Sequence, residues 1–279
     1  ASVYSGKITH RELSVTLTYF AYFAYMLGGL FRKVACRIRP YELVPGQTDQ
    51  VFKEVQKVLL QAFSGELSME KAVREGLTLV DQVAYDPESR KPLVAIFGDL
   101  YVRDNDVMNQ DLVRTIEEAG GEALVTPYHD YTKITIENMF RRAYLRGEYV
   151  ETSFNRILLN VVKYMDERYY KHFVKYLGPA PVIRPKELEK KLEHFNISLL
   201  HGGESYDNIL KIFYIVENYP EVSLFVQTNP SFCCPALVTE AMTRRIRELT
   251  GVPIVTLTYD GTSNPMNDAI VPYIQKALS

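Results

Sequence analysis

Cysteine is scarce in this sequence, and its scarcity argues against a fold held together by disulfides. The 279 residues contain three cysteines, an odd number that indicates a reducing compartment, so we expect a cytoplasmic protein. No Cys-x-x-Cys pair occurs, and none of the five histidines falls at zinc-ligand spacing from a cysteine. A zinc site is therefore not expected.

Excess charge and glycine-rich phosphate motifs are also lacking. The formal net charge of −2 gives no electrostatic footprint for nucleic acid. The absence of a G-x-G-x-x-G fingerprint and of a Walker lysine disfavours nucleotide binding by a standard loop. The uncharged run 13–31 contains hydroxyl residues and the pair Gly28-Gly29, which predicts a helix buried against other helices and not a membrane span.

The patterning divides the chain into two parts. Residues 1–90 are predicted to be helical, with an apolar helix ending at Arg37 and further helices at 47–63 and 68–83. Residues 91–279 alternate short apolar runs with helical segments, which is typical of a parallel sheet covered by helices on both faces. We predict an α/β, flavodoxin-like, doubly wound sheet of about four strands, interrupted by a helical insertion at about 132–196. The predicted strands are 93–97, 123–126, 223–227 and 254–258, and the predicted helices are 107–119, 134–146, 152–176, 186–194, 206–217, 235–249 and 266–278.

Polar loops follow three of these strands, after Phe97, Gln227 and Thr258. Ligands of doubly wound sheets bind at the carboxyl ends of the strands, so the loops are candidate ligand-binding segments. The alternative is that they contain only helix caps and turns, with residues 104–106 supplying acceptors for helix amides. The candidate ligand-binding residues are Asp99, Tyr101, Arg103, Asn109, Glu204, Asp260, Thr262 and Asn264.

Two of the three cysteines, Cys233 and Cys234, stand directly before Pro235, where a predicted strand gives way to a helix. A thiolate near a helix N-terminus is stabilised by the helix dipole, which favours metal binding or nucleophilic chemistry. The alternative is that these cysteines are small buried residues. Adjacent cysteines rarely ligate one metal together, so at most one of the two is expected to be a metal ligand. Core packing is also the expected role of Cys36.

Several of these segments occur in one order. They are Arg-Pro-Tyr-Glu at 39–42, Pro-Gly-Gln-Thr-Asp at 45–49, the loop 98–109, Cys-Cys-Pro at 233–235 and Tyr-Asp-Gly-Thr at 259–262 with Asn264. As a set they resemble the C-terminal part of the 2-hydroxyacyl-CoA dehydratase and benzoyl-CoA reductase subunit family, especially the branch found with ATP-dependent activases. The resemblance covers most of the chain.

The resemblance implies a function and a cofactor. It implies low-potential electron transfer to an acyl-CoA-type substrate, as a component of a dehydratase-like lyase or a reductase-like oxidoreductase. It also implies an iron–sulfur cluster of the 4Fe-4S type, with Cys233 as one ligand, and a separate ATP-hydrolysing activase as electron donor. Cys234 does not match the family's pattern, and packing is its expected role. The family's other cysteine segments are missing here, so we expect an incomplete domain that works with the rest of a parent protein or a partner subunit.

Two other hypotheses stay open. The first is a non-catalytic docking module that uses the strand-edge loops to recognise a partner. The second is a thiol enzyme with Cys233 or Cys234 as nucleophile, ranked last because no histidine is tied to either cysteine by sequence. Neither nucleic acid nor a membrane is an expected partner.

Overall fold

The computed structural model describes residues 15–181, 190–197 and 205–278. Helix α1 (Val15–Ile38) is followed by α2 (Gln47–Phe63) and α3 (Met69–Val80). In α1 the residues that repeat at three and four residue spacing are buried, as an amphipathic helix requires; they include Phe23, Met26, Leu27, Leu30 and Val34. No helix in the described ranges combines the length and the hydrophobicity that a bilayer crossing requires.

Four parallel strands form the sheet, which confirms the predicted fold class. They are β1 (Leu93–Gly98), β2 (Glu122–Leu124), β3 (Val222–Pro230) and β4 (Ile254–Tyr259), in the order β2-β1-β3-β4. The register places Phe97 beside Gln227 and Gln227 beside Thr256. Because the chain leaves β1 toward β2 and later returns to the other side of β1, the direction of winding reverses between β1 and β3.

Helices cover both faces of this sheet. The helices on the sheet are α4 (Leu112–Glu118), α8 (Ser205–Asn218), α9 (Cys234–Thr250) and α10 (Val271–Leu278), and the chain between β2 and α8 forms α5 (Tyr128–Leu145), α6 (Tyr149–Tyr170) and α7 (Val174–Leu177). Val94 and Ile96 pack toward α4 and α10, whereas Ala95 and Phe97 pack toward α8. This alternation along β1 buries the strand on both sides, as its continuous apolar sequence predicts.

The start of α4 differs from the prediction. A helix from residue 107 was expected, but α4 begins at Leu112. The side-chain oxygen of Asn105 accepts hydrogen bonds from the amides of Val107 and Met108, both at 3.1 Å, and so folds this segment into a turn. Gln110 and Asp111 then have φ values of 53° and 56°, which a helix does not accommodate.

Other predicted boundaries also shift. The predicted helix 152–176 is divided, because α6 ends at Tyr170 and α7 begins at Val174. The last predicted helix begins as a 3-10 helix, Met266–Ile270, before α10. Of the predicted helix 186–194, residues 190–193 are helical and the first four residues lie outside the described residues.

The N-terminal helices share their core with the insertion. Side chains of α1, α2 and α3 pack with Met165, Tyr169 and Tyr170 of α6 and with Phe173 and Tyr176. The Phe31 and Phe173 rings meet edge to face, with centroids 5.0 Å apart. The helical layer therefore draws on both sides of the predicted boundary near residue 90, which itself stays a prediction.

Candidate functional site

The carboxyl ends of β1, β3 and β4 form one edge of the sheet. Residues 99–111 follow β1, residues 231–233 connect β3 to α9, and residues 260–265 follow β4. The loops after β1 and β3 flank the point where the winding direction reverses, and ligands of doubly wound sheets bind in that crevice. This edge is the candidate site.

Gly98 brings the two central strands together at this edge. Its φ is 115°, and a Cβ atom added there would lie 2.2 Å from the carbonyl oxygen of Thr228. The amide of Asp99 donates to the same carbonyl at 2.8 Å, and the Thr228 hydroxyl donates to the Phe97 carbonyl at 3.2 Å. The loop after β1 is thereby fixed directly against β3.

The two adjacent cysteines lie where the sequence places them, at the change from strand to helix. Cys233 is the N-cap of α9 and is half-buried, with its amide 3.3 Å from the Pro230 carbonyl and its own carbonyl accepting from the Leu237 amide at 3.1 Å. Cys234 opens the helix and is exposed, so its predicted packing role is wrong. Its Sγ lies 3.9 Å from the Phe232 carbonyl oxygen.

Phe232, directly before the cysteines, was missed by sequence reasoning. Its φ is 64°, and its side chain is 94 % exposed. A bulky residue in the left-handed region costs roughly 1 to 3 kcal/mol, and such strain concentrates at functional positions. No residue pattern marks this conformation, because glycine and asparagine are the usual signals for it.

Cys36 lies apart from the other two thiols. It is 1 % exposed at the end of α1 and packs in the sheet core that includes Val94 and Ile116, which confirms its predicted packing role. Burial raises the pKa of this thiol to about 12. Two cysteines therefore remain for chemistry at the sheet edge.

The metal-binding capacity of the edge is limited. Within residues 15–181, 190–197 and 205–278, no group of three or more His, Cys, Asp or Glu side chains is arranged to hold a metal ion. A 4Fe-4S cluster takes four thiolate ligands, and this edge offers only Cys233 and Cys234. The described residues therefore do not fit a complete cluster.

In the loop after β1, the predicted site residues lie in two environments. Asp99 and Tyr101 are at the surface: the Asp99 carboxylate accepts from the amides of Tyr101 and Val102, both at 2.9 Å, and the Tyr101 ring is 67 % exposed. Arg103 and Asn109 are buried, at 1 % and 0 % exposure.

The buried pair organises the loop itself. Arg103 donates from Nη1 to the Gly98 carbonyl at 3.1 Å. The Asn109 amide group donates to the carbonyls of Val102 and Arg103, and its oxygen accepts from the Leu112 amide at 3.1 Å, at the start of α4. These contacts hold the segment that presents Tyr101 to solvent.

The loop after β4 is a tight turn. The Asp260 carboxylate accepts from the Thr262 amide at 2.9 Å and from the Thr262 hydroxyl at 2.6 Å. These hydrogen bonds hold the pKa of Asp260 below its usual value. Asn264 is exposed and contributes its backbone carbonyl to the next contact. Glu204, also a predicted site residue, lies outside the described residues.

Two residues that sequence reasoning missed join these loops. The Gln110 amide group donates to the Thr262 carbonyl at 3.3 Å and to the Asn264 carbonyl at 2.9 Å. Asn267, 4 % exposed, donates to the carbonyls of Asn109 and Gln110 at 2.9 and 2.8 Å. We call these two side chains, Gln110 and Asn267, the loop clasp. Amides 157 residues apart carry no local signal, so only the fold reveals the clasp.

A groove of about 650 Å³ opens between α1 and the loop after β1. The Arg32 guanidinium lies on it, with Nη2 2.5 Å from the Asp106 carboxylate. Burial raises the pKa of Asp104, and the charges of Arg103 and Arg32 oppose that shift. The groove is lined by Tyr25, Gly28, Arg32, Tyr101, Asp104 and Pro127. It thus combines two aromatic side chains with a carboxyl group that retains a proton more readily than usual.

A smaller cavity of about 390 Å³ lies at the opposite edge of the sheet, beside Leu93 and Glu122 at the starts of β1 and β2. It is separate from the cysteines and the polar loops.

In comparisons with known proteins, no family model, curated protein or solved structure matches this chain.

Proposed function

We propose that this chain is a domain of an iron–sulfur dehydratase or reductase assembly, in which Cys233 supplies one thiolate ligand of a 4Fe-4S cluster. The other ligands come from other polypeptide segments. The assembly carries out low-potential electron transfer to an acyl-CoA-type substrate and receives electrons from a separate ATP-dependent activase. The observation that carries this proposal is the position of Cys233, half-buried at the N-cap of α9 and at the edge where the winding of the sheet reverses.

The surroundings of Cys233 support its selection among the three thiols. Its backbone is fixed by hydrogen bonds on both sides, and the free amides and dipole of α9 favour a thiolate there. Cys36 is excluded as a cluster ligand because it is buried in the sheet core, where burial raises the pKa of its thiol to about 12. Cys234 projects from the first turn of the helix and is exposed.

The test is the iron and sulfide content of the assembly that contains this chain, purified anaerobically. Wild type is compared with Cys233→Ser and Cys234→Ser, and circular dichroism checks that each variant is folded. We expect the Cys233→Ser variant to lose its iron, acid-labile sulfide and visible absorption, and the Cys234→Ser variant to keep them. Equal iron content in wild type and Cys233→Ser would exclude Cys233 as a ligand.

Phe232 favours a second candidate function, a non-catalytic docking module. A large aromatic side chain that is 94 % exposed on a strained backbone is well suited to enter a pocket of a partner. This function predicts that the anaerobically purified assembly contains no iron and that Phe232→Ala weakens the binding of this chain to the assembly. Iron in wild type that depends on Cys233 contradicts it.

A further inference from the structure

Helix α6 exposes a line of apolar side chains at regular spacing. Val150 is 85 % exposed, Phe154 54 %, Ile157 64 %, Val161 48 % and Tyr164 62 %. Successive members are four, three, four and three residues apart, which averages to about 3.5 residues, the heptad period of coiled coils. We call these five residues the α6 stripe.

The opposite face of α6 packs against the rest of the chain. Leu159, Val162, Met165 and Tyr169 are buried against the rest of the chain. A surface helix of a monomer normally has one apolar face, which is buried, and polar residues on its outer side. The α6 stripe is a second apolar face, and it points outward.

The exposed apolar area of the stripe approaches the area that one partner buries in a stable interface. Five side chains of this size, each about half or more exposed, leave roughly 600 Å² of largely apolar surface, at the upper end of the patches found on monomers. A stable interface buries about 800 Å² per partner, including its polar rim. Tyr149, 74 % exposed, is the first residue of the same helix and adds to this apolar surface.

We propose that the α6 stripe binds the α6 stripe of a second copy of this chain, with the two helices antiparallel. A heptad stripe is complementary to another heptad stripe, and a two-fold axis gives each copy the same partner surface. In heptad notation Phe154 and Val161 occupy a positions, and Val150, Ile157 and Tyr164 occupy d positions. The next a position is Arg168.

Arg168 determines the relative direction of the helices. A parallel pair places a against a, so the two Arg168 side chains would face each other in the seam. An antiparallel pair places a against d, which sets Arg168 opposite Val150 of the second copy. Arg168 is then free to keep its own contacts, 3.5 Å from Glu70 and over the Tyr169 ring.

The antiparallel arrangement also matches the remaining residues. Phe154 lies opposite Tyr164 of the second copy, and Ile157 lies opposite Val161 of the second copy. On one flank of the seam, Ser153 faces Glu167 of the second copy, and Asn160 faces Asn160 of the second copy. None of these flanking pairs joins like charges, and direct repulsion in the rim is avoided.

Sedimentation velocity on the 279-residue chain tests the interface. We expect a dimer for wild type and a dissociation constant raised at least about 100-fold for Ile157→Lys, because each dimer would bury two ammonium groups in the seam. Leu60→Lys on α2 is the matched control, since Leu60 is 66 % exposed and outside the α6 stripe; it is expected to stay dimeric. A monomeric wild type, or a dimer unaffected by Ile157→Lys, overturns the proposal.

Disulfide trapping tests the direction of the helices. Ile157→Cys and Val161→Cys are each placed in a chain that also carries Cys233→Ser and Cys234→Ser, and the two proteins are mixed and oxidised. The antiparallel pair predicts a disulfide between the two different proteins. Cross-links formed only between identical proteins would indicate parallel helices and overturn the arrangement.

Discussion

At Gly98, one hydrogen atom in place of a methyl group decides whether β1 and β3 can meet. The residue combines a φ of 115° with a Thr228 carbonyl oxygen that would lie 2.2 Å from an added Cβ atom. The contact is backbone to backbone, so no side chain can rotate away to relieve it. Glycine is required here by the close approach of the strands as well as by its backbone angle.

We therefore expect Gly98→Ala to destabilise the protein much more than Gly65→Ala. Gly65 has a φ of 85° and nothing within 4 Å of an added Cβ atom, so its substitution costs only the left-handed backbone, about 1 kcal/mol. Gly98→Ala adds the clash with Thr228, and we expect at least about 3 kcal/mol more. Urea unfolding followed by circular dichroism measures both; equal losses would show that β1 can move away from β3.

The three thiols should differ sharply in their reactions with an alkylating reagent. Cys234 is exposed and should be labelled first in the folded protein, whereas Cys36 should react only after unfolding, because it is buried and its pKa is raised to about 12. Mass spectrometry of digested, iodoacetamide-treated protein, with and without denaturant, measures this order. Labelling of Cys36 in the native protein would contradict its burial, and Cys234→Ser is the control for the fast site.

At the scale of elements, the clasp formed by Gln110 and Asn267 holds the edge loops together. The Asn267 amide group makes two bonds to the loop after β1, and its oxygen accepts from the buried Tyr259 hydroxyl at 2.8 Å. The Gln110 amide group donates hydrogen bonds to two carbonyls of the loop after β4. The geometry of the predicted site residues Asn109 and Thr262 thus depends on side chains outside the predicted set.

We expect Asn267→Ala to cost about 2 to 3 kcal/mol, because it leaves buried carbonyls and the Tyr259 hydroxyl without their partner. Asn264→Ala should be nearly neutral, since Gln110 binds the backbone carbonyl of Asn264, which the substitution keeps. Chemical denaturation of both variants measures the difference. A neutral Asn267→Ala would mean that the loops are held by other contacts.

Local pattern predicted the elements well where burial alone determines them. The short run of apolar residues at 93–97, bounded by Pro92 and Gly98, favours a strand covered on both faces, and β1 is such a strand. The start of α4 could not be predicted in this way. It depends on side-chain to backbone hydrogen bonds of Asn105 and Asn109 and on a left-handed pair, Gln110 and Asp111, held by contacts from distant parts of the chain.

The same distinction applies to the candidate site. The position of Cys233 and Cys234 followed from the alternation of strand and helix, because parallel strands place their carboxyl ends at one edge. The burial of Arg103 and the exposure of Phe232 did not follow. Both depend on the path of the backbone through a loop, where polar composition is compatible with either an inward or an outward side chain.

At the scale of the whole molecule, α1 and the segment after it tie the helical layer to the sheet. Arg37 lies 2.5 Å from Glu122 at the start of β2. Arg39, just beyond α1, donates to both carboxylate oxygens of Glu117 on α4 at 2.7 and 2.9 Å, and lies 3.2 Å from Asp49 on α2. These ion pairs and the shared core lead us to expect that the helical layer and the sheet unfold together.

Removing Arg39 tests that coupling. Glu117 is 8 % exposed, and burial raises its pKa although the Arg39 charge opposes the shift. Arg39→Ala would leave this carboxylate buried beside Arg114 alone, which we expect to cost about 3 kcal/mol at neutral pH. Arg244→Ala is the matched control, because Arg244 is 92 % exposed in its pair with Glu248 and should change stability by less than about 0.5 kcal/mol.

The loss should depend on pH and should reach both layers. A buried carboxyl group whose folded pKa lies above its unfolded pKa destabilises the fold increasingly as pH rises above the unfolded value, so the cost of Arg39→Ala should shrink from neutral pH toward about pH 4. Native-state hydrogen exchange should show equal losses of protection for the slowest amides of α1 to α3 and of β1 to β4, because one cooperative unit shares one free energy of unfolding. Loss confined to the helical amides would instead place a domain boundary near residue 90.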